Sequence, residues 1–538
     1  MANSWDYIIV GAGSAGCVLA TRLSEDPAVR VLLLEAGGWD WHPLIHMPLG
    51  WPRLLLNGVA DWGYNTEPDP ALGRGMECAR GKVIGGSSST NAMAWVKGHP
   101  ADFDRWAAMG LPGWDHESML PYFRRIESWT GGRSDLRGDD GPVSVECNGF
   151  DDPICEDFRQ AVASLGQTLT DDYNGAFVEG FAPWQTTRHK GRRVSAARAY
   201  LHPARSRANL KILTKCHVTG MQWDGPLVTG VEACRQGKSE TYRAMREVIL
   251  CGGTINSPQL LMTSGIGPAA HLRDHGIAVK ADLPGVGANL QDHISSPVIY
   301  ARKGQGTLTR NMRIDRLALA LLKWGLTGKG FAAALPVADM GFARLRPEAQ
   351  QPDLQVMMVA GALNAAPWLA PFRQPAQDAF ALRAIVLHPE SRGQITLASP
   401  DPRAAPKITQ GFLSADSDRQ LLRDGLRFVY KIAETSPLAN HVAATIGPKA
   451  LDDMALDDHI AATAVSVHHP AGTCRMGGPD DAMRVVDSDL RVVGVQGLRV
   501  VDASVMPDLT GGNINAPVLM IAERAADLIL GEGVVERL

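Results

Sequence analysis

Tyr7-Ile-Ile-Val-Gly-Ala-Gly-Ser-Ala-Gly16, followed by Val31-Leu-Leu-Leu-Glu35, decides the fold of this chain. Four β-prone residues run into a glycine turn, then into helix-compatible sequence from Ala15 to Ser24. A second apolar strand ends on an acid 19 residues past Gly16. This strand–turn–helix–strand context is what a dinucleotide fingerprint requires. Gly11 permits the tight turn, Gly13 lets backbone approach a pyrophosphate, and Gly16 allows close helix–strand packing. The helix N-terminus offers unpaired N–H groups to phosphates. Glu35 is placed to accept hydrogen bonds from ribose hydroxyls. FAD and NAD both satisfy this motif.

The 538 residues are 45% hydrophobic, enough for a large core divided into two or three units. A net charge of −4 with no basic stretch argues against nucleic acid as a partner. Eight cysteines without a CxxC spacing read as reduced thiols. The first strand begins too early to leave room for a secretion signal, and Leu317-Ala-Leu-Ala-Leu-Leu322 is too short to span a bilayer. That run reads as a buried or substrate-domain helix, with peripheral membrane contact as the alternative, and the protein is expected to be soluble and cytoplasmic.

Further along, Arg80-Gly-Lys-Val-Ile-Gly-Gly-Ser-Ser-Ser-Thr-Asn91 has the composition of a phosphate or ring-edge cradle. Arg246-Glu-Val-Ile-Leu-Cys251 is a strand entering Gly252-Gly253, and the helix after it should begin with Ser257 as cap and Pro258 at its first position. Between about residues 298 and 466, Asp353-Leu-Gln-Val-Met-Met-Val359 and Gly393-Gln-Ile-Thr-Leu-Ala-Ser399 suggest an antiparallel sheet. Strand pattern returns at Leu498, and a helix closes the sequence from Ala516 to Gly531. The expected fold is therefore α/β, with a Rossmann-like dinucleotide-binding domain interleaved with an α+β substrate domain on an antiparallel sheet. Residues 1–297 would be mainly cofactor-binding, with excursions at 36–80 and 150–205. Residues 298–466 would be the substrate domain, and 467–538 the return to the cofactor.

Six segments together resemble the glucose–methanol–choline (GMC) oxidoreductases, especially bacterial choline-dehydrogenase-like members, over essentially the whole length. They are the fingerprint, Gly81 to Trp95, Gly253 to Gly267, Pro284-Gly-Val-Gly-Ala-Asn-Leu-Gln-Asp-His293, His468-His-Pro-Ala-Gly-Thr-Cys-Arg-Met-Gly477, and Val501 to Pro507 with Gly512 to Pro517. The resemblance implies FAD. Gly11, Gly13, Ser14, Ala15, Gly16, Glu35 and Ala36 would hold its ADP half, with Val218 at the adenine. Arg80, Val83, Gly86, Ser87, Asn91, Ala92, Met93 and Ala94 would follow the pyrophosphate and flavin. Gly253, Asp502, Ala503, Asn515 and Pro517 would close over it. Some members attach FAD through a His where this chain has Thr90, so non-covalent FAD is expected.

The resemblance also implies an active-site pair, here His469 and Asn513. Alcohol oxidation needs a base for the hydroxyl proton, and imidazole suits that task. Asn513 cannot titrate and would orient the substrate oxygen. His468 would line the pocket and His293 would be structural. No metal is expected, because His468, His469 and Cys474 lack further ligand spacing. The implied partners are a small-molecule alcohol and an electron acceptor (O2, a quinone or a dye-like acceptor). A dehydrogenase is slightly favoured over an oxidase releasing H2O2, and a flavin-containing hydroxynitrile lyase is the alternative of another class. No aromatic-plus-carboxylate cluster for a quaternary ammonium is evident, so choline is not favoured. Oligomeric state is not legible.

Overall fold

The structure, a computed structural model, describes residues 4–176, 178–362 and 364–531. It is an α/β protein with two seven-stranded sheets. In the first, β1 (Ser4–Val10) turns at Gly11 into α1 (Ser14–Leu23), and β2 (Val31–Leu34) lies parallel to β1 with Tyr7 opposite Val31. Every residue of β2 is buried, as expected for a parallel strand covered on both faces. α1 lies so close to the turn that a Cβ on Gly16 would stand 1.9 Å from the Gly11 carbonyl oxygen.

β3 (Lys238–Leu250) joins two kinds of pairing. Its last residues pair parallel with β1 on one side and with Leu498–Val500 on the other. Its first residues pair antiparallel with Leu227–Arg235, which continues antiparallel into Cys216–Asp224. A strand contributed by residue 498 thus sits in the same sheet as the fingerprint.

α2 (Gly253–Thr263) starts five residues before the predicted first position, Pro258. Ser257 is therefore inside the helix, not its cap. Two tertiary bonds explain the difference. Asp502 Oδ2 accepts from Gly253 N at 2.8 Å, capping the helix from outside. Pro258 has no N–H for the Thr254 carbonyl, and Thr473 Oγ1 donates to that oxygen instead at 2.6 Å.

The second sheet is antiparallel throughout. It runs Val442–Ile446, Ile294–Arg302, β4 (Ala379–Val386), Leu354–Val359, Val337–Ala343 and Gly180–Pro183 in spatial order. Gln394–Thr396 does not join it. That strand pairs with Lys407–Thr409, and backbone bonds at Gly287 and Leu290 draw it to the Pro284–His293 segment. The apolar run at 317–322 forms α3 (Ile314–Thr327), which has no buried residue. Leu319, Leu322 and Leu326 point outward at 67%, 59% and 78% exposure. Among the described residues no helix is long and apolar enough to cross a membrane.

α4 (Asn515–Leu530) ends on left-handed Gly531 and packs against α1. Arg22 of α1 pairs with the buried Glu523 and Asp527 of α4.

Candidate active site

A cavity of about 510 Å³ runs between the two sheets. One end is walled by Glu35, Ala36 and Val218, the other by His468, His469 and Asn513. α1, α2 and α4 all start at its wall; α2 is capped by Asp502, whereas α1 and α4 have no side-chain cap hydrogen bond at their N-termini. Two free helix ends suit an elongated ligand carrying phosphates and carbonyl oxygens. The cradle admits backbone-close contact because glycine occupies it. Gly86 has φ +53°, and a Cβ there would stand 2.7 Å from Gly13 Cα. Glu35 accepts from Ala12 N (2.9 Å) and Gly37 N (2.7 Å), yet burial pushes its carboxyl up to about 7.

At the far end, the geometry fixes which nitrogen of His469 is free. His293 Nε2 lies 2.9 Å from the Leu387 carbonyl oxygen, which can only accept, so Nε2 carries hydrogen. Burial holds His293 at about pKa 3, so it is neutral and its Nδ1 is a bare acceptor. His469 Nδ1, 2.9 Å away, must therefore be the N–H that donates to it. His469 is also held neutral, well below the usual imidazole range, by burial and then by His293, His468 and Arg80. Its Nε2 is the acceptor nitrogen, and Asn513 Nδ2 donates to its lone pair at 2.9 Å. The Asn513 Oδ1 is buried and has no partner among the described residues, on a residue of the cavity wall. The site presents a base atom with an amide beside it.

The backbone that carries these rings is tied down as firmly. His468 adopts φ +64°, a left-handed conformation that a non-glycine residue keeps only where its surroundings enforce it. Asp292 Oδ1 accepts from His469 N (2.8 Å), and its Oδ2 accepts from Ser466 Oγ (2.6 Å). Ser466 Oγ in turn accepts from His468 N (2.7 Å), and Arg80 Nη1 donates to the His468 carbonyl (3.1 Å). Because the base is already neutral well below pH 6.5, the acid limb of kcat/KM should fall below the ordinary imidazole range of about 6.5. Initial rates between pH 5 and 8 check this, and a limb at or above pH 6.5 would contradict it.

Asn513 sits on a loop anchored by Asp102. The buried Asp102 carboxylate accepts from Gly511 N (2.8 Å), His99 N (2.9 Å), His388 Nε2 (2.9 Å) and Arg105 Nη2 (3.1 Å). Although burial opposes it, His388 and Arg105 hold this carboxyl well below the usual range. A depressed folded-state pKa gives stability that is present above the unfolded value of about 3.9 and lost as pH falls through the folded one. Asp102→Ala should cost about 3–5 kcal/mol at pH 7, because it strands the buried Gly511 N–H and takes away the carboxylate shared by His388 and Arg105. Urea unfolding of wild type and variant measures it.

The cavity wall gathers Gly11, Gly13, Ser14, Ala15, Glu35, Ala36, Arg80, Gly86, Ser87, Asn91, Ala92, Ala94, Val218, Gly253, Asp502, Ala503 and Asn515 with the histidines and Asn513. Gly16, Val83, Met93 and Pro517 lie outside it. Val83 is buried with Ile45 and Leu54, and Met93 packs beside Trp184 and Phe342. Sequence reasoning named His293 only as structural and did not single out Asp292, Asp102 or Arg383. For the first two a signal existed in their shared motif, Asn-Leu-Gln-Asp-His293, which carries two titratable groups side by side.

Comparison with known proteins gives one consistent picture. Two family models described as GMC oxidoreductase match residues 5–295 and 389–522. An oxygen-dependent choline dehydrogenase from Rhizobium etli is 42% identical over 98% of this chain and 96% of its own. The crystal structure of pyridoxine 4-oxidase from Mesorbium loti superposes with a TM-score of 0.86 at 34% identity, over 98% of this chain and 100% of that one. A formate oxidase from Aspergillus oryzae RIB40 gives a TM-score of 0.90 at 27% identity, with 98% of each chain covered.

Proposed function

The chain belongs to the GMC oxidoreductase family, and from that membership we propose that it oxidises a primary alcohol to the aldehyde, with His469 as the base. The observation that carries this is the lone pair on His469 Nε2, set by the chain of bonds from Leu387 through His293. When bound, FAD supplies the acceptor for the carbon-bound hydride. The protein's part is to take the hydroxyl proton at His469 Nε2, where the substrate hydroxyl replaces Asn513 Nδ2, and to orient the oxygen with the released Asn513 amide. Neutral His293 holds the proton of His469 on Nδ1, so the ring meets the substrate in its basic form. Trp184, Val337 and Met357 give the substrate end an apolar wall that limits water.

The cofactor is bound without a covalent link, because Thr90, on the cavity wall, lacks the imidazole that would form one. Acid precipitation should therefore release all yellow colour into the supernatant, and colour kept in the pellet would contradict this. The electron acceptor is O2, a quinone or a dye-like carrier, with a dehydrogenase slightly favoured over an oxidase. A panel of primary alcohols scored by anaerobic bleaching, then repeated in air with peroxide detection, tests both parts. No bleaching with any alcohol rejects the oxidation, and stoichiometric peroxide rejects the dehydrogenase assignment.

A further inference from the structure

The substrate end of the cavity contains a cation that the proton chemistry does not use. Arg383 lies on β4, opposite Pro297 on one neighbouring strand and Met357 on the other. It lines the cavity with Met357, Val359 and His468 and is only half-buried, since its guanidinium borders that space. Other buried arginines are paired. Arg137 meets Glu127 and Asp172, Arg302 meets Asp152, and Arg193 donates to Ile45 O and Asn91. Among the described residues Arg383 has no such partner. Burial is the single influence on its titration and lowers it, so the carboxylates on the cavity wall, Glu35, Asp61, Glu77 and Asp502, are too distant to act on it. Its own charge helps to keep the neighbouring His468 ring neutral.

A guanidinium stays protonated even when desolvated, and an unpaired one in a water-poor cavity is costly unless something fills its fork. Planar oxyanions fit that fork with two parallel bonds. Apolar Val337, Met357 and Val359 stand on the same wall.

We propose that Arg383 is the anchor of an anion subsite, so that the preferred alcohols are hydroxy acids whose carboxylate meets Arg383, whose apolar spacer crosses the Met357 and Val359 wall, and whose hydroxyl reaches His469. This rests on alcohol oxidation at His469 and names its substrate class. A cationic alcohol such as choline meets repulsion at the same place.

The FAD-loaded enzyme should be tested with 4-(hydroxymethyl)benzoate, its methyl ester and choline, using wild type, Arg383→Met and Arg383→Lys. The wild type should prefer the acid over the ester by about 100-fold in kcat/KM, through KM. Arg383→Met should bring that ratio near one, and Arg383→Lys should restore part of it. Benzoate, which has no hydroxyl to oxidise, should perturb the flavin spectrum, with its Kd raised at least about tenfold in Arg383→Met. Equal use of acid and ester by the wild type, or benzoate affinity unchanged in Arg383→Met, overturns the subsite. If no alcohol bleaches the flavin while benzoate still binds through Arg383, the subsite stands and the oxidation fails.

Discussion

Replacing His469 with alanine should slow anaerobic flavin reduction by about three orders of magnitude while the protein stays yellow. The size follows from the site having one base atom. Positioned general bases contribute about 10²–10⁴-fold. Asn513 does not titrate, and His468 Nδ1 has no partner among the described residues that would fix its proton as His293 fixes that of His469. Cofactor retention should survive because the lost ring bonds His293 and Asn513 and makes no bond to the fingerprint turn. His293→Ala gives a distinct result. It removes the acceptor for His469 Nδ1–H, so the ring can switch tautomer and turn its proton toward the cavity. A smaller loss, about 10- to 100-fold, is expected, with the pH profile displaced as well. Stopped-flow reduction across pH separates the two, and near-normal reduction in His469→Ala rejects the base assignment.

Gly16→Ala should give a protein that unfolds at markedly lower denaturant concentration and purifies with little flavin. The added Cβ would stand 1.9 Å from Gly11 O and 3.1 Å from Gly11 C, both backbone atoms that no rotamer change can move. α1 must then lift from the turn, and the pyrophosphate cradle goes with it. Overpacking of this kind costs about 3 kcal/mol or more. Gly38→Ala is the control, since a Cβ there meets nothing within 4 Å. Urea midpoints and the ratio of flavin to protein absorbance measure both variants. A Gly16→Ala protein with normal flavin content would show that the close approach is not needed.

The fingerprint was legible because parallel strands buried on both faces write continuous apolar runs, as Val31–Leu34 does. β1, β2, the strand at Leu498 and the closing helix followed from similar local patterns. His469 and Asn513 were legible through their motifs. What local pattern cannot carry is a bond between distant residues. His293 touches His469 across 176 positions, and only that contact turns a structural histidine into the group that sets a tautomer. The start of α2 was misplaced for the same reason. Proline statistics put Pro258 at a helix N-terminus, but Thr473 supplies the missing donor from elsewhere. The significance of Arg383 depends on its lacking a partner, which no single-residue signal reveals. α3 inverted the usual rule, with leucines at helical spacing left facing outward.

The joining of α1 to α4 through Arg22, Glu523 and Asp527 has a consequence for biosynthesis. A ribosome delivers the fingerprint first and its covering helix last, about 500 residues later by the 501 positions between Arg22 and Glu523. At elongation speeds of about 5–20 residues per second, the nascent β1 and α1 wait on the order of half a minute or more for Leu498–Val500 and α4. During that wait the α1 surface meant for α4 is open to solvent and to other chains. Slow supply of the last segment should therefore favour aggregation over a stable half-built intermediate, and chains cut short before α4 should be cleared instead of accumulating as partial enzymes.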